Sequence, residues 1–416
     1  MFPLLLLNVA FAAPVDVTVC GKYDVEYQDA LPLLGDDYFT DNAVDIPAWG
    51  AQLIATCTSC SPEVTVFDDH LPWNTPDACA TFQMDTEETY RVKLRTLASV
   101  RGNDIKVMNT YSQKATYVYA AGGLSPSGTG TYTLTTNPNN HWNIMAAATF
   151  ALRRHGGLAT NAGEQFDIYA EDFQCSGNAG GCQQYVYNAA EGRFENRIFL
   201  QEENRDNKYV IGHEMGHAVL DAALGANATG DTSAAFNTGA CPGGNGHSRD
   251  SVEFQSAALS EGFANFYAAI SFNDTSDADC MYWSSTRVDW TQGQSFETHE
   301  IPCVGASSNG LPADSYLAFC NGASAPWPNR ANEWDWTRAF WELNQEMGFH
   351  KVTELHDLAD APTWAQAGVL PWNCGLLCED MPFARLWNAV HNHPATFGAA
   401  EVQAFEDITD YYGLQR

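Results

Sequence analysis

The stretch Tyr209-Val-Ile-Gly-His213-Glu214-Met-Gly-His217-Ala-Val-Leu220 decides how the rest of the chain is read. Its apolar flanks, a capping-type residue at Asp206 and a glycine at Gly225 predict a helix over 207–224. On a helix, residues four apart lie one above the other, so the His213 and His217 imidazoles can reach a single cation from one rigid element. Glu214 is turned about 100° from His213, which suits a carboxylate that touches a water at the metal and not the metal itself. An accidental His-Glu-x-x-His arises in roughly one or two chains per hundred of this length and composition, so context has to carry the reading. Two histidines and a glutamate buried side by side in an apolar helix are costly without a partner.

Hydrolytic zinc sites usually take three protein ligands and leave a fourth position open. Downstream, Ala257-Ala-Leu-Ser-Glu261-Gly-Phe-Ala-Asn265-Phe-Tyr-Ala-Ala is a second helical pattern whose apolar residues leave Glu261 facing the core. A buried carboxylate there wants a cation. Two rivals for third ligand are His247, between the two helices, and Asp221, one turn past His217.

Together, His213-Glu-Met-Gly-His217 and Ser260-Glu-Gly-Phe-Ala-Asn265-Phe resemble the gluzincin zinc metallopeptidases, the thermolysin, fungalysin and zinc aminopeptidase group. The resemblance implies that His213, His217 and Glu261 hold one catalytic Zn2+ and that Glu214 is the catalytic base. It also implies that Asn265, where relatives often carry an acid, supports His213 through its other ring nitrogen, polarising it less than an acid would. Glu261 follows His217 by 44 positions, a longer gap than in typical members. An inserted surface loop explains the extra length at little free-energy cost. The likeness spans residues 140–290, and the segments 334–343 and 400–412 loosely resemble the helical second lobe of such enzymes.

The implied fold is α+β: a zincin-like catalytic domain over 137–416, with a strand layer, the His-Glu-x-x-His helix and a helical carboxy-terminal lobe. Within it, 142–154 reads as a helix stopped by Gly156-Gly157, and Phe166–Ala170 and Arg197–Gln201 read as strands. Arg197–Gln201 is the expected edge strand on which an extended peptide would lie. Before it, residues 14–136 read as a β-rich amino-terminal domain. There Tyr90-Arg-Val-Lys-Leu-Arg-Thr-Leu alternates apolar and polar residues, and turn-forming runs at Gly122–Gly130 and Asn137–Asn140 mark its end.

Residues 1–13, an apolar run ending in Ala10-Phe-Ala12, read as a signal peptide, which makes the protein secreted, extracellular or periplasmic. No later run is long and apolar enough to span a membrane. Twelve cysteines fit an oxidising compartment and a disulfide framework, with Cys175/Cys182 and Cys374/Cys378 as local pairs; Cys57/Cys60 and Cys374/Cys378 have the spacing of half a zinc knuckle, but disulfides are the expected state. The formal charge of −31, from 20 Lys plus Arg against 51 Asp plus Glu, repels phosphate backbones and anionic lipid, so nucleic acid is not an expected partner. Acid clusters at 36–45 and 273–279 offer oxygens to Ca2+ but match no ordered calcium loop, and read as solvated turns.

The expected activity is peptide-bond hydrolysis by a water activated at zinc, on a peptide or protein substrate. Lack of a Gly-Ala-Met-Glu-Asn type of signature favours an endopeptidase over an aminopeptidase. Alternatives are a non-catalytic binding or adhesion protein on a zincin scaffold, which would not need Glu214, and a zinc hydrolase of a non-peptide substrate. A Tyr or His that stabilises the oxyanion stands in no recognisable motif among Tyr282, His299, Tyr316, His350, Tyr411, His391 and His393.

Overall fold

A computed structural model describes residues 14–26, 44–155, 163–175, 180–189, 192–224, 252–272, 279–283, 298–302, 330–359 and 381–414. The proposed signal peptide, Gly225, His247, Tyr316 and the Cys374/Cys378 pair lie outside these residues, as do most of the two acid clusters.

Nine strands form first: β1 Val15–Val25, β2 Val44–Pro47, β3 Ala51–Cys57, β4 Val64–His70, β5 Cys79–Met84, β6 Tyr90–Val100, β7 Asn103–Met108, β8 Val118–Leu124 and β9 Gly130–Thr135. Alternation in the sequence becomes alternation in burial, with every second residue of β3 and β6 inside. After helix α1, Asn140–His155, come β10 Gln165–Tyr169, β11 Gly181–Asn188 and β12 Arg193–Leu200. Then follow α2 Lys208–Leu224 and α3 Gln255–Phe272. The later helices are α4 Glu333–Met347, α5 Phe349–Ala359, α6 Met381–Asn392 and α7 Ala399–Tyr411, making seven α-helices among the described residues. Two short antiparallel pairs complete the set: β13 Val252–Phe254 with β16 Arg330–Asn332, and β14 Asp279–Trp283 with β15 Thr298–Pro302. The class is mixed α+β, as the sequence implies.

β1 centres a four-stranded sheet with β2, β5 and β9. The larger sheet has eight strands in the order β11-β12-β10-β7-β6-β3-β4, with β8 also on β6. β7 and β10 pair in parallel, from Asp104 opposite Gln165 to Met108 opposite Tyr169. Hydrogen bonding therefore runs without a break from strands before residue 136 to strands after it. The change of composition at 136 is not a gap in the sheet, and one apolar core includes Val19, Leu94, Trp142, Ile168, Phe266 and Phe340.

α1 packs on β6 and β7 of the large sheet and on β1 of the small one, with Trp142 stacked on Tyr23 at 5.5 Å. α2 packs on β11 and β12, α3 on α2, and α4 on α3. At the far end of α1, Arg154 donates to the Ser271 carbonyl at 2.9 Å and His155 Nε2 meets the Ile270 carbonyl at 3.0 Å. These contacts satisfy backbone acceptors at the end of α3, which would otherwise lack helical partners. Three disulfides, Cys20–Cys79, Cys57–Cys60 and Cys175–Cys182, join described cysteines, the last as its spacing predicts. Among the described residues no helix is long and apolar enough to cross a membrane.

Candidate metal centre

α2 begins one residue later than its sequence signals predict. Asn207, not Asp206, is the cap: its side-chain oxygen accepts from the Tyr209 and Val210 amides at 3.0 and 3.2 Å. Both residues have capping chemistry, and the backbone uses the second. Close packing then brings α3 against α2. A Cβ added at Gly216 would lie 2.7 Å from the Ala264 Cα, so the helices touch backbone to backbone where a glycine faces an alanine. That approach lets side chains from both helices meet at one point.

Three of them do. His213 Nε2 and His217 Nε2 are 3.1 Å apart, and Glu261 Oε2 stands 3.2 Å from the first and 3.4 Å from the second. The two imidazole planes cross at 88°, so each ring directs an edge at the same point. Behind them, Asn265 Oδ1 is 2.7 Å from His213 Nδ1, and Ser260 Oγ is 3.1 Å from His217 Nδ1. Asn265 Oδ1 can only accept, which draws the His213 proton to Nδ1 and leaves its Nε2 lone pair directed inward, and the Ser260 hydroxyl is able to accept from His217 in the same way.

These residues fit a zinc ion. With ligand distances of about 2.0–2.1 Å, two tetrahedral ligands stand about 3.3 Å apart, and all three edges of the triangle lie close to that. Two neutral imidazoles and one carboxylate are also the donor set of many hydrolytic zinc sites. Side-chain exposures of 18% for His213 and 14% for His217 leave one side of the cluster open.

Glu214 is 5% exposed and turned toward β11. A Cβ added at Gly181, the first residue of β11, would lie 2.8 Å from Glu214 Oε1. The glycine therefore makes room for this carboxylate. Among the described strands β11 is the last at its end of the sheet, so Arg197–Gln201 is not the edge that the sequence suggests. β12 is hydrogen-bonded on both sides, to β10 and β11. Its apolar Ile198-Phe-Leu200 reads equally as an inner or an outer strand, and only the later pairing decides.

Asp221, the rival on α2, stays outside the three-ligand group. Burial pushes its carboxyl up to about 6, against opposing effects of His217 and of a hydrogen bond from Gln183 on β11. Of the oxyanion candidates, His350 and Tyr411 are largely exposed, and His391 is held by the Trp387 carbonyl and Glu406. Tyr282 and His299 are register partners along the backbone of the β14–β15 pair, and β14 lies against α2 and α3.

The sequence reading gave no role to Ser260, Gly181 or Asn207. Ser260 had a signal: Ser260, Glu261 and Asn265 are the strongly polar residues in the otherwise apolar run 257–270, and all three serve this cluster. Gly181 had none, because its partner is 33 positions away in the sequence. Compared with protein-family models, with curated proteins and with solved structures, the chain matches none of them.

Proposed function

We propose that this protein is a secreted zinc-dependent peptidase of the gluzincin type with a zincin-like catalytic core, and more specifically an endopeptidase. The observation that carries the reading is the convergence of His213 Nε2, His217 Nε2 and Glu261 Oε2 within 3.1–3.4 Å, beside the buried Glu214. His213, His217 and Glu261 would hold the ion. Bound zinc supplies a Lewis acid that lowers the pKa of a water toward neutrality and polarises a carbonyl.

The remaining work belongs to this chain's own groups. Asn265 and Ser260 hold the two imidazoles in the ligating tautomer. Glu214 takes the proton of the attacking water at its carboxylate and returns it to the leaving amine. At Gly181, β11 passes directly beside Glu214. An extended peptide lying along this part of the sheet would run past the base, which favours an internal bond as the target.

The test uses the full chain and an unstructured protein substrate. Cleavage is expected to be abolished by a chelator and restored by zinc. Glu214→Gln is expected to retain one zinc and to lose hydrolysis by about 10²–10⁴-fold, the range of a general acid–base group. Chelator-insensitive cleavage, or a Glu214→Gln variant with full activity, overturns the reading.

A further inference from the structure

A second chemical cluster lies far along the sheet, at the tip of the β3–β4 hairpin, where Cys57-Thr-Ser-Cys60 closes a disulfide beside Glu88. We propose that Cys57–Cys60 is a thiol–disulfide exchange site that reacts with free cysteinyl thiols. The inference is independent of the zinc cluster.

The two sulfurs differ in access. Cys57 is fully buried, whereas Cys60 is only partly buried and the following residues, Ser61 to Thr65, are exposed. An incoming thiolate therefore meets Cys60 first. Around the inner sulfur, the Cys60 amide donates to Cys57 Sγ at 3.1 Å. Glu88 Oε2 lies 3.8 Å from the same sulfur. Ser59 holds that carboxylate in place, with its hydroxyl donating to Glu88 Oε2 and accepting from the Thr89 amide at 2.7 Å. A donor for a thiolate and a base for a thiol thus meet at one sulfur.

As a staple the bridge does little. A disulfide restricts the unfolded chain more as its loop lengthens, and this one spans 3 positions against 59 for Cys20–Cys79.

The exchange balances as follows. An external thiolate attacks Cys60 Sγ, the Cys57–Cys60 bond breaks, and Cys57 leaves as a thiolate held by the Cys60 amide. A second external thiol, deprotonated, attacks the external sulfur of the mixed disulfide and expels Cys60. Two thiols have become one disulfide, and the protein holds two thiols carrying the two protons released. In reverse, the Cys57 thiol gives its proton to Glu88 Oε2 and attacks Cys60 Sγ of the mixed disulfide, and the departing external thiolate takes that proton.

The experiment equilibrates the full chain with mixtures of reduced and oxidised glutathione, then alkylates free thiols and maps each cysteine pair by mass spectrometry. Cys57–Cys60 is expected to open under conditions where Cys20–Cys79 and Cys175–Cys182 stay closed. Cys57→Ser is expected to trap a Cys60–glutathione mixed disulfide. Glu88→Gln is expected to slow closure of the reduced pair by oxidised glutathione by about tenfold or more, with the thermal midpoint unchanged. Repeating the reduction with a dithiol peptide separates the two thiol sources, faster exchange than with glutathione assigning a polypeptide partner and equal rates a small thiol. Resistance of Cys57–Cys60 to glutathione alongside the other two bridges, or closure of Glu88→Gln at the wild-type rate, overturns the proposal.

Discussion

Ser260 and Asn265 touch no reacting atom in the proposed reaction, yet each lies at hydrogen-bond distance from the Nδ1 of one imidazole, where accepting its proton would direct the Nε2 lone pair at the ion. Ser260→Ala and Asn265→Ala are each expected to weaken zinc binding by about 10–100-fold, read by competition with a chromogenic chelator. Glu261→Ala, which removes a ligand, should lose tight stoichiometric zinc altogether. Elemental analysis that finds one zinc in Glu261→Ala would assign the third ligand elsewhere. A different titration governs the end of α1. Burial lowers the His155 pKa from 6.5 to about 3, with Arg154 adding to the effect. The unfolded chain therefore binds the proton more readily between those values, so this contribution is whole above about pH 6.5 and is lost as pH falls toward 3. At pH 5 the loss is about 2 kcal/mol. His155→Gln keeps a donor for the Ile270 carbonyl and does not titrate. Urea unfolding at pH 7.5 and pH 5 should show a smaller drop for that variant than for the wild type.

The pairing of α2 with α3 depends on a missing side chain. In Gly216→Ala the new methyl would press on backbone, the Ala264 Cα at 2.7 Å and carbonyl oxygen at 3.1 Å, and backbone cannot rotate away. Destabilisation of about 1–3 kcal/mol is expected from such overpacking, with weaker zinc binding as Glu261 is pushed back. An unchanged urea midpoint would show that the helices have slack. At this scale the division between what sequence reveals and what it hides is physical. His213 and His217 were legible because one helical turn relates them, and Glu261 because a carboxylate stands out of an apolar run; Asn265 came only from the family resemblance, and Ser260, with the same polar signal as Glu261, was given no role. The pairing of β11 with β12, and with it the contact of Gly181 with Glu214, brings together segments that leave no shared local periodicity. The cap on Asn207 was missed by one residue because two adjacent side chains offer the same hydrogen bond.

For the whole molecule, the pairing of β7 with β10 joins strands on either side of 136 in one sheet, and the two sides are expected to unfold as one cooperative structure. A chain beginning at residue 137 would expose the β10 edge that β7 covers and the face of α1 that β1, β6 and β7 cover. Such a fragment is expected to be insoluble or to lack a cooperative thermal transition, whereas the full chain should unfold in a single transition by calorimetry. A soluble fragment with its own sharp transition would restore two separate units. The parallel joining of β7 to β10 also sets an order of events during synthesis. Emerging from the ribosome, the chain carries an unfilled β7 edge until Gln165–Tyr169 follows, and His213 and His217 precede Glu261 by 48 and 44 positions. The three-ligand cluster thus cannot assemble until more than half of the chain has been made, and until β10 follows, the bare β7 edge is a place where the growing chain can pair with another.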